Sequence, residues 1–264
     1  MIFIGDTHGN HNYIQKEIKG KKITNTTFIH VGDFGIGFIN REREIEQIGV
    51  WNNKLKADNN ILYVIRGNHD DPHFFNEKDI HDYDRSNIKF LPDYSVIEVE
   101  GKKILCVGGA VSIDRVPRRR MNLQEIRYGR DKQYYWPNEK FYLDREKLEG
   151  LSGIDIVVTH TAPNFAKPFD TKGNWPYIVK QFLYEDDSLE DDLIQERLLV
   201  DEMYNILKKN NKIDDWFYGH FHRNDTTLHE NTLFHMLGIN ELYEHKEEYG
   251  DDFEKEMNEK YGED

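Results

Sequence analysis

Asp6, His8, Asp33, Asn68, His160, His220 and His222 have the donor atoms and the placement to hold metal ions. They fall into five groups, each directly behind a short apolar run. Ile2-Phe3-Ile4 leads into Gly5-Asp6-Thr7-His8, and Thr27-Phe28-Ile29-His30-Val31 leads into Gly32-Asp33. Ile61-Leu62-Tyr63-Val64-Ile65 leads into Arg66-Gly67-Asn68-His69-Asp70. The run 154–158 leads into Thr159-His160, and Trp216-Phe217-Tyr218 leads into Gly219-His220-Phe221-His222. Imidazole and carboxylate donors suit Mn, Fe, Zn or Ni, and no soft thiolate accompanies them. The donors outnumber what one ion takes from protein and suit two ions sharing a carboxylate. Such pairs, ~3.5–4 Å apart, stabilise both the attacking and the leaving oxygen of a phosphoryl displacement.

The elements that must position these residues follow from the same runs. Short β-branched stretches closed by glycine read as buried strands. Between them the chain offers helices, the longer over roughly residues 40 to 57 with Ile45, Ile48 and Leu55 on one stripe. Alternating strands and helices imply βαβ units and a partly parallel sheet covered by helices, an α/β class. In such sheets ligands gather at the carboxyl ends of the strands, so these distant residues should converge on one edge. In an extended segment residues i and i+2 point the same way, which would aim both members of Asp6/His8 and of His220/His222 at one site.

Further along, 95–99 and 104–107 predict a hairpin around Gly101, and 226–230 with 233–237 predict a second over Asn231. Leu189, Leu193, Leu199, Met203, Ile206 and Leu207 fit a helical stripe. Residues 162 to 180 hold Pro163, Pro168, Gly173 and Pro176 and read as a loop. Residues 111 to 150 give no clear element. From Glu241 the chain is acidic and poor in aliphatics, which predicts a surface helix or frayed tail. The expected organisation is therefore one domain over 1–240 and an acidic segment over 241–264.

Composition narrows the partners. The 264 residues carry a net charge of −14. Long nucleic acid is bound mostly by Lys and Arg on phosphates, so this balance disfavours it. The single cysteine, Cys106, excludes an intramolecular disulfide and a cysteine zinc cluster, and its apolar surroundings predict a buried core residue. No apolar run reaches membrane-spanning length and no signal peptide is read at the start, so a cytoplasmic protein with no membrane partner is expected.

As a set, Gly5-Asp6-Thr7-His8-Gly9, Gly32-Asp33, Gly67-Asn68-His69-Asp70, Thr159-His160 and Gly219-His220-Phe221-His222 resemble the motifs of the calcineurin-like metallophosphoesterase superfamily. The resemblance implies a four-layer αββα sandwich of two mixed β-sheets flanked by helices. It implies two divalent metal ions, manganese first, with Fe, Zn, Ni or Mg as the others. One ion would be held by Asp6, His8, Asp33 and His222, the other by Asp33, Asn68, His160 and His220, with Asp33 bridging. A hydroxide activated by both ions would attack a phosphate mono- or diester, His69 would protonate the leaving oxygen, and Asp70 would orient His69. The favoured substrate is a small phosphodiester or nucleotide. The alternatives are a serine/threonine-type protein phosphatase or a nuclease and, more remotely, a non-catalytic metal-binding scaffold.

Two departures bear on substrate. The phosphoprotein phosphatase branch of the family places an arginine shortly after its second Gly-Asp, whereas this chain reads Gly32-Asp33-Phe34-Gly35-Ile36-Gly37. Purple acid phosphatases carry a tyrosine where Ile36 stands. Another basic group must then meet the substrate phosphate. Arg115 and Arg118, in the densest basic cluster of an acidic chain, are the candidates, because guanidinium groups contact phosphate oxygens in pairs. The loop 162–180, with Phe169, Trp175 and Tyr177, is a candidate lid or base-stacking platform.

Overall fold

The protein is described from a computed structural model over residues 1–76, 84–130, 132–166 and 176–245. Its strands form two sheets. The first has the order β11-β1-β2-β3-β4, built from β1 (Ile2–Ile4), β2 (Thr27–His30), β3 (Ile61–Val64), β4 (Ile88–Phe90) and β11 (Leu242–Glu244). β1 to β4 are parallel and β11 closes the edge antiparallel to β1. The second has the order β5-β6-β7-β8-β10-β9, from β5 (Ser95–Val99), β6 (Lys102–Val107), β7 (Ile156–Thr159), β8 (Asp215–Tyr218), β9 (Asp225–His229) and β10 (Thr232–Met236). Here β6, β7, β8 and β10 run parallel, and both edges are antiparallel hairpin partners.

The layering follows from the period-two alternation of each strand. Phe3, Ile29, Ile104, Cys106, Ile156, Val158 and Phe217 face the opposite sheet and form the central apolar layer. Their neighbours Ile2, Ile4, Phe28, Leu62 and Val64 face outward onto two helices, α1 (His11–Gly20) and α2 (Arg41–Ala57). Leu105, Val107, Val157, Trp216 and Tyr218 face the other way onto α6 (Leu189–Leu207). The result is helix, sheet, sheet, helix, the mixed two-sheet sandwich that the motifs imply. Strands buried on both faces read as continuous apolar runs, which is why they were visible in the sequence.

Local signals set the helices. In α2, Asn40 caps the N-terminus by accepting from the N–H groups of Glu42 and Arg43, with acidic residues in the first turn and Lys54 and Lys56 in the last. Its Ile48, Trp51 and Leu55 form the buried stripe. The stretch without a clear sequence signal holds α3 (Arg115–Arg127) and the short α4 (Arg145–Glu149). In α3 only Arg115 and Arg118 are buried, so no apolar stripe announces it. The proline-rich region contains a short 3-10 turn at Asn164–Ala166 and then α5 (Tyr177–Leu183). Phe169 and Trp175 lie outside the described residues.

The domain does not stop at residue 240. Leu242, Tyr243 and Glu244 pair with Ile4, Phe3 and Ile2, so the start of the expected tail is a strand of the first sheet. Three residues are too few for alternation to stand out against an acidic background. Cys106 is fully buried, and burial pushes its thiol up to about 12. Among the described residues no helix is long and apolar enough to cross a membrane.

Phe3 and Phe217 stack across the two sheets with ring centroids 3.6 Å apart and both fully buried. Phe3→Ala is therefore expected to lower unfolding free energy by about 3–5 kcal/mol, the usual cost of an aromatic cavity. Urea titration checks this, and a loss below about 1 kcal/mol would contradict the placement of the central layer.

Candidate metal centre

Five parallel strands, β1, β2 and β3 of the first sheet and β7 and β8 of the second, end at one edge of the sandwich. The backbone there is bent sharply. Asp33 (φ 55°), His8 (φ 45°), His220 (φ 69°) and His222 (φ 57°) all adopt left-handed conformations. For non-glycine residues this is costly and clusters at functional sites. The N–H groups of Thr7 and His8 donate to the Asp33 carbonyl at 3.1 and 2.8 Å, locking the first loop onto the second.

Glycines clear the space. A methyl group at Gly67 would overlap Asp33 Oδ1, one at Gly219 would overlap Asp6 Oδ1, and one at Gly32 would overlap the His160 ring. Only a residue without Cβ lets each loop approach its acidic or imidazole neighbour this closely.

Two groups of donor atoms result. In the first, donor atoms of Asp6, His8, Asp33 and His222 lie within 4.8 Å of one another. In the second, Asp33, His160 and His220 do the same. Asn68 Oδ1 sits 3.0 Å from His160 Nε2, so the amide joins the second group. All seven sequence-derived candidates are therefore brought together, with Asp33 common to both groups. Asp6 and His8 fall in the same group, whereas His220 and His222, both in left-handed conformations, fall in different groups.

The residues present fit divalent cations. Asp6 and Asp33 are 0% and 1% exposed, and Asp6 Oδ1 and Asp33 Oδ2 have no hydrogen-bond partner. Two buried carboxylates this close demand compensating positive charge. His8 Nε2 and His222 Nε2 face each other at 2.9 Å, and His222 Nε2 lies 3.3 Å from Asp6 Oδ2. His160 Nδ1 donates to the Val31 carbonyl at 2.8 Å, which leaves Nε2 for the cluster, 3.2 Å from Asp33 Oδ1.

Electrostatics reflect this crowding. Burial opposes ionisation of Asp33, but His160, His69 and His8 outweigh it and hold the carboxyl well below the usual range. Burial likewise opposes the His160 imidazolium, yet Asp33 and Asp6 carry it up to about 9. His220 is driven well below its ordinary value by burial and by the neighbouring His160.

His69 stands beside both groups. Its N–H donates to Asp33 Oδ1 at 2.7 Å, and its ring meets His8 edge to face at 5.2 Å. Burial lowers its pKa, Asp33 opposes this and Arg118 reinforces it. Asp70 does not orient the ring. Its two oxygens accept from the N–H groups of Phe34, Gly35, Ile36 and Gly67, at 2.7 to 3.1 Å. Four backbone donors leave the carboxylate holding loops together rather than holding an imidazole.

The two candidate phosphate arginines are placed as struts. Arg115 is bound by Asp186, Asp192 and Ser188, which ties α3 to the start of α6. Arg118 reaches Ser112 Oγ and the Tyr134 carbonyl and donates at 3.1 Å to the carbonyl of Asn68, behind the ligand row. Ser112 in turn accepts from the Asn68 amide at 2.9 Å, fixing which end of Asn68 faces the cluster. Among the described residues, the arginine that lines the cavity over the cluster is Arg223, next to His222. Ser112 and Arg223 carried no signal of their own in the sequence beyond adjacency to a ligand loop.

The family model described as calcineurin-like phosphoesterase matches residues 1–224. No curated protein matches the chain. One solved crystal structure aligns over 90% of this chain and 90% of its own, with 12% identity and a TM-score of 0.50. TT1561 of Thermus thermophilus aligns over 90% of this chain and 89% of its own, with 10% identity and a TM-score of 0.46. The phosphopantetheinyl hydrolase of Mycobacterium tuberculosis aligns over 90% and 89%, with 14% identity and a TM-score of 0.42. At these identities the first alignment speaks for the fold alone, and the lower two carry no further weight.

Two measurements probe this geometry. Gly67→Ala forces a methyl group onto Asp33 and is expected to lower the Mn²⁺ content of purified protein, read by elemental analysis, while circular dichroism stays native. Undiminished metal content would contradict the close approach. The second is pH-dependent stability in chelator. The His160 pKa is raised in the folded state, so its contribution is full below 6.5 and is lost as pH rises through about 9. Unfolding free energy should fall over that window, and a rise would have the sign wrong.

Proposed function

We propose that this chain, which belongs to the calcineurin-like phosphoesterase family, is a hydrolase of phosphate mono- or diesters that works with two divalent metal ions, a small phosphodiester or nucleotide being its substrate. The observation that carries this reading is the pair of donor groups that share Asp33. One group would hold its ion with Asp6, His8, Asp33 and His222, the other with Asp33, Asn68, His160 and His220. Manganese is the ion to test first, since the donors are all imidazole, carboxylate and amide. Bound divalent ions supply charge that polarises phosphoryl oxygens and lowers the pKa of water.

The remaining work falls to side chains of the protein. His69 lines the cavity over the donor groups and would give a proton to the leaving oxygen. Its pKa is held down by burial, and the negative charge of a phosphate ester beside it would favour the protonated form again. Asp33 fixes the position of His69 through the backbone at 2.7 Å. Arg118 and Ser112 brace Asn68 from behind, so their effect on phosphate is indirect. Arg223 is the guanidinium we place on the substrate.

The test uses protein stripped of metal and reconstituted with Mn²⁺, with para-nitrophenyl phosphate and its bis-ester as substrates. Metal-dependent release of nitrophenolate is expected, with the bis-ester preferred. His69→Ala should cost about 10²–10⁴ in kcat on an ester with an alkoxide leaving group, the range for loss of a general acid, and much less on the nitrophenyl esters, whose leaving group needs little protonation. Asp33→Asn should abolish both turnover and metal retention. Arg223→Ala should raise KM more than it lowers kcat. A protein that binds no divalent metal, or binds it and turns over neither ester, would overturn the proposal.

A further inference from the structure

His69 lines two different cavities, and this is the feature of the site that a monoester would leave half used. The cavity of about 340 Å³ over the donor groups has an apolar wall made by Ile178, Val179 and Phe182 of α5, with Leu193 of α6 and Phe221. His69 also lines, together with His8, a second cavity of about 490 Å³. Its wall is aromatic, with His11, Phe34, Phe38 and Trp51. Phe38 is half-buried, and its ring is tilted 29° to that of His69 with centroids 6.4 Å apart.

The second cavity also has a polar element. Glu44 is 5% exposed and lines it. One carboxyl oxygen accepts from the Gly37 N–H at 2.7 Å, while the other, Oε2, has no hydrogen-bond partner. Buried acceptors are almost always paired, so an unpaired one on a residue that lines the cavity can take a donor from a ligand once the carboxyl turns toward it. Burial, opposed by the Gly37 bond, lifts this carboxyl to about 7, so near neutral pH it can also share its own proton.

A phosphate held at the donor groups would sit between these cavities. A monoester has one arm to place and a diester has two. Resting on the phosphoesterase reading above, we infer that the substrate is a phosphodiester with two unlike arms: an apolar arm against α5 and, against Phe38 and Glu44, a ring-bearing arm with a hydrogen-bond donor, the chemistry of a nucleoside. Ring stacking on aromatic side chains is tolerant of base identity, and the Glu44 carboxyl would select for a ring or sugar that can donate.

The experiment compares four substrates that release the same nitrophenolate from the Mn²⁺-loaded protein: thymidine 5′-(para-nitrophenyl phosphate), bis(para-nitrophenyl) phosphate, methyl para-nitrophenyl phosphate and para-nitrophenyl phosphate. The thymidine ester is expected to exceed the methyl ester in kcat/KM by about tenfold or more, the scale of one stacked base. Phe38→Ala and Glu44→Gln should each reduce that ratio, and Ile178→Ala should raise KM for the aryl esters. Saturation-transfer NMR with thymidine alone, on metal-free protein, should show contact that Phe38→Ala removes. A ratio near one, a preference for the monoester, or ratios unmoved by both Phe38→Ala and Glu44→Gln would overturn the two-arm inference and leave the phosphoesterase reading standing. Absence of turnover on all four would overturn that reading and this inference with it, whatever thymidine binding shows.

Discussion

Everything at the working edge of this protein depends on the burial of Asp33. Its carboxylate is 1% exposed, sits against Gly67, and keeps one oxygen without a hydrogen bond. A carboxylate in that position is unfavourable unless positive charge surrounds it. The chain supplies what it can from His160, His69 and His8, and these hold Asp33 ionised. Asp6, equally buried a few ångströms away, shares His160 as a neighbour at 4.0 Å and adds a second negative charge. Imidazoles alone meet this demand only by taking up protons, which is why His160 is carried up to about 9. Divalent cations meet it without protons and leave the imidazoles free to ligate. The strain of four left-handed non-glycine residues is tolerated because the surrounding sheets over-determine the loops that carry them.

Those sheets explain why so few residues suffice. The two sheets pack through Phe3, Phe217 and their apolar neighbours, and that packing sets the distance between strand ends from the two halves of the chain. Asp6, His8, Asp33 and Asn68 come from the first sheet and His160, His220 and His222 from the second. Neither sheet holds a complete donor group by itself, since His222 completes the first and Asp33 completes the second. Unfolding of either sheet would therefore disperse both groups, and ion binding and folding are linked in the same direction.

What could be read in the sequence was whatever a strand declares locally. Buried parallel strands are unbroken apolar runs, so their ends, and the polar residues just past them, stood out. That made the seven candidates legible. Spacing did not reveal the conformation between them: the i, i+2 argument assumed extended backbone, whereas His8, His220 and His222 are left-handed. Nor could a sequence show which partner a charged side chain finds. Arg115 and Arg118 looked available because they lie in a dense basic cluster, yet Asp186 and Asp192, some seventy positions on, neutralise Arg115, and Arg118 turns inward to Asn68. β11 was hidden by its length and by acidic neighbours, although Tyr243 packs against Phe217 in the central layer.

The loop after β2 shows how one such partner choice shapes the site. Its N–H groups at Phe34, Gly35 and Ile36 converge, and converging backbone donors make an anion-binding nest. In this chain the nest is already filled by the Asp70 carboxylate. The N–H groups of Phe34, Gly35 and Ile36 are therefore not offered to a substrate phosphate and, unlike the phosphoprotein phosphatase pattern, the loop has no arginine in its sequence. Filling the nest internally has a second effect. It holds Gly35 in a left-handed turn against Gly9, while Gly37, whose N–H donates to Glu44, turns left-handed against Asp71 and Trp136. Those turns hold Phe34 inward beneath His11 and leave Phe38 beside His69. Asp70 thus shapes this edge from within the fold: by occupying the backbone donors of the loop it leaves that loop as the aromatic wall of a cavity.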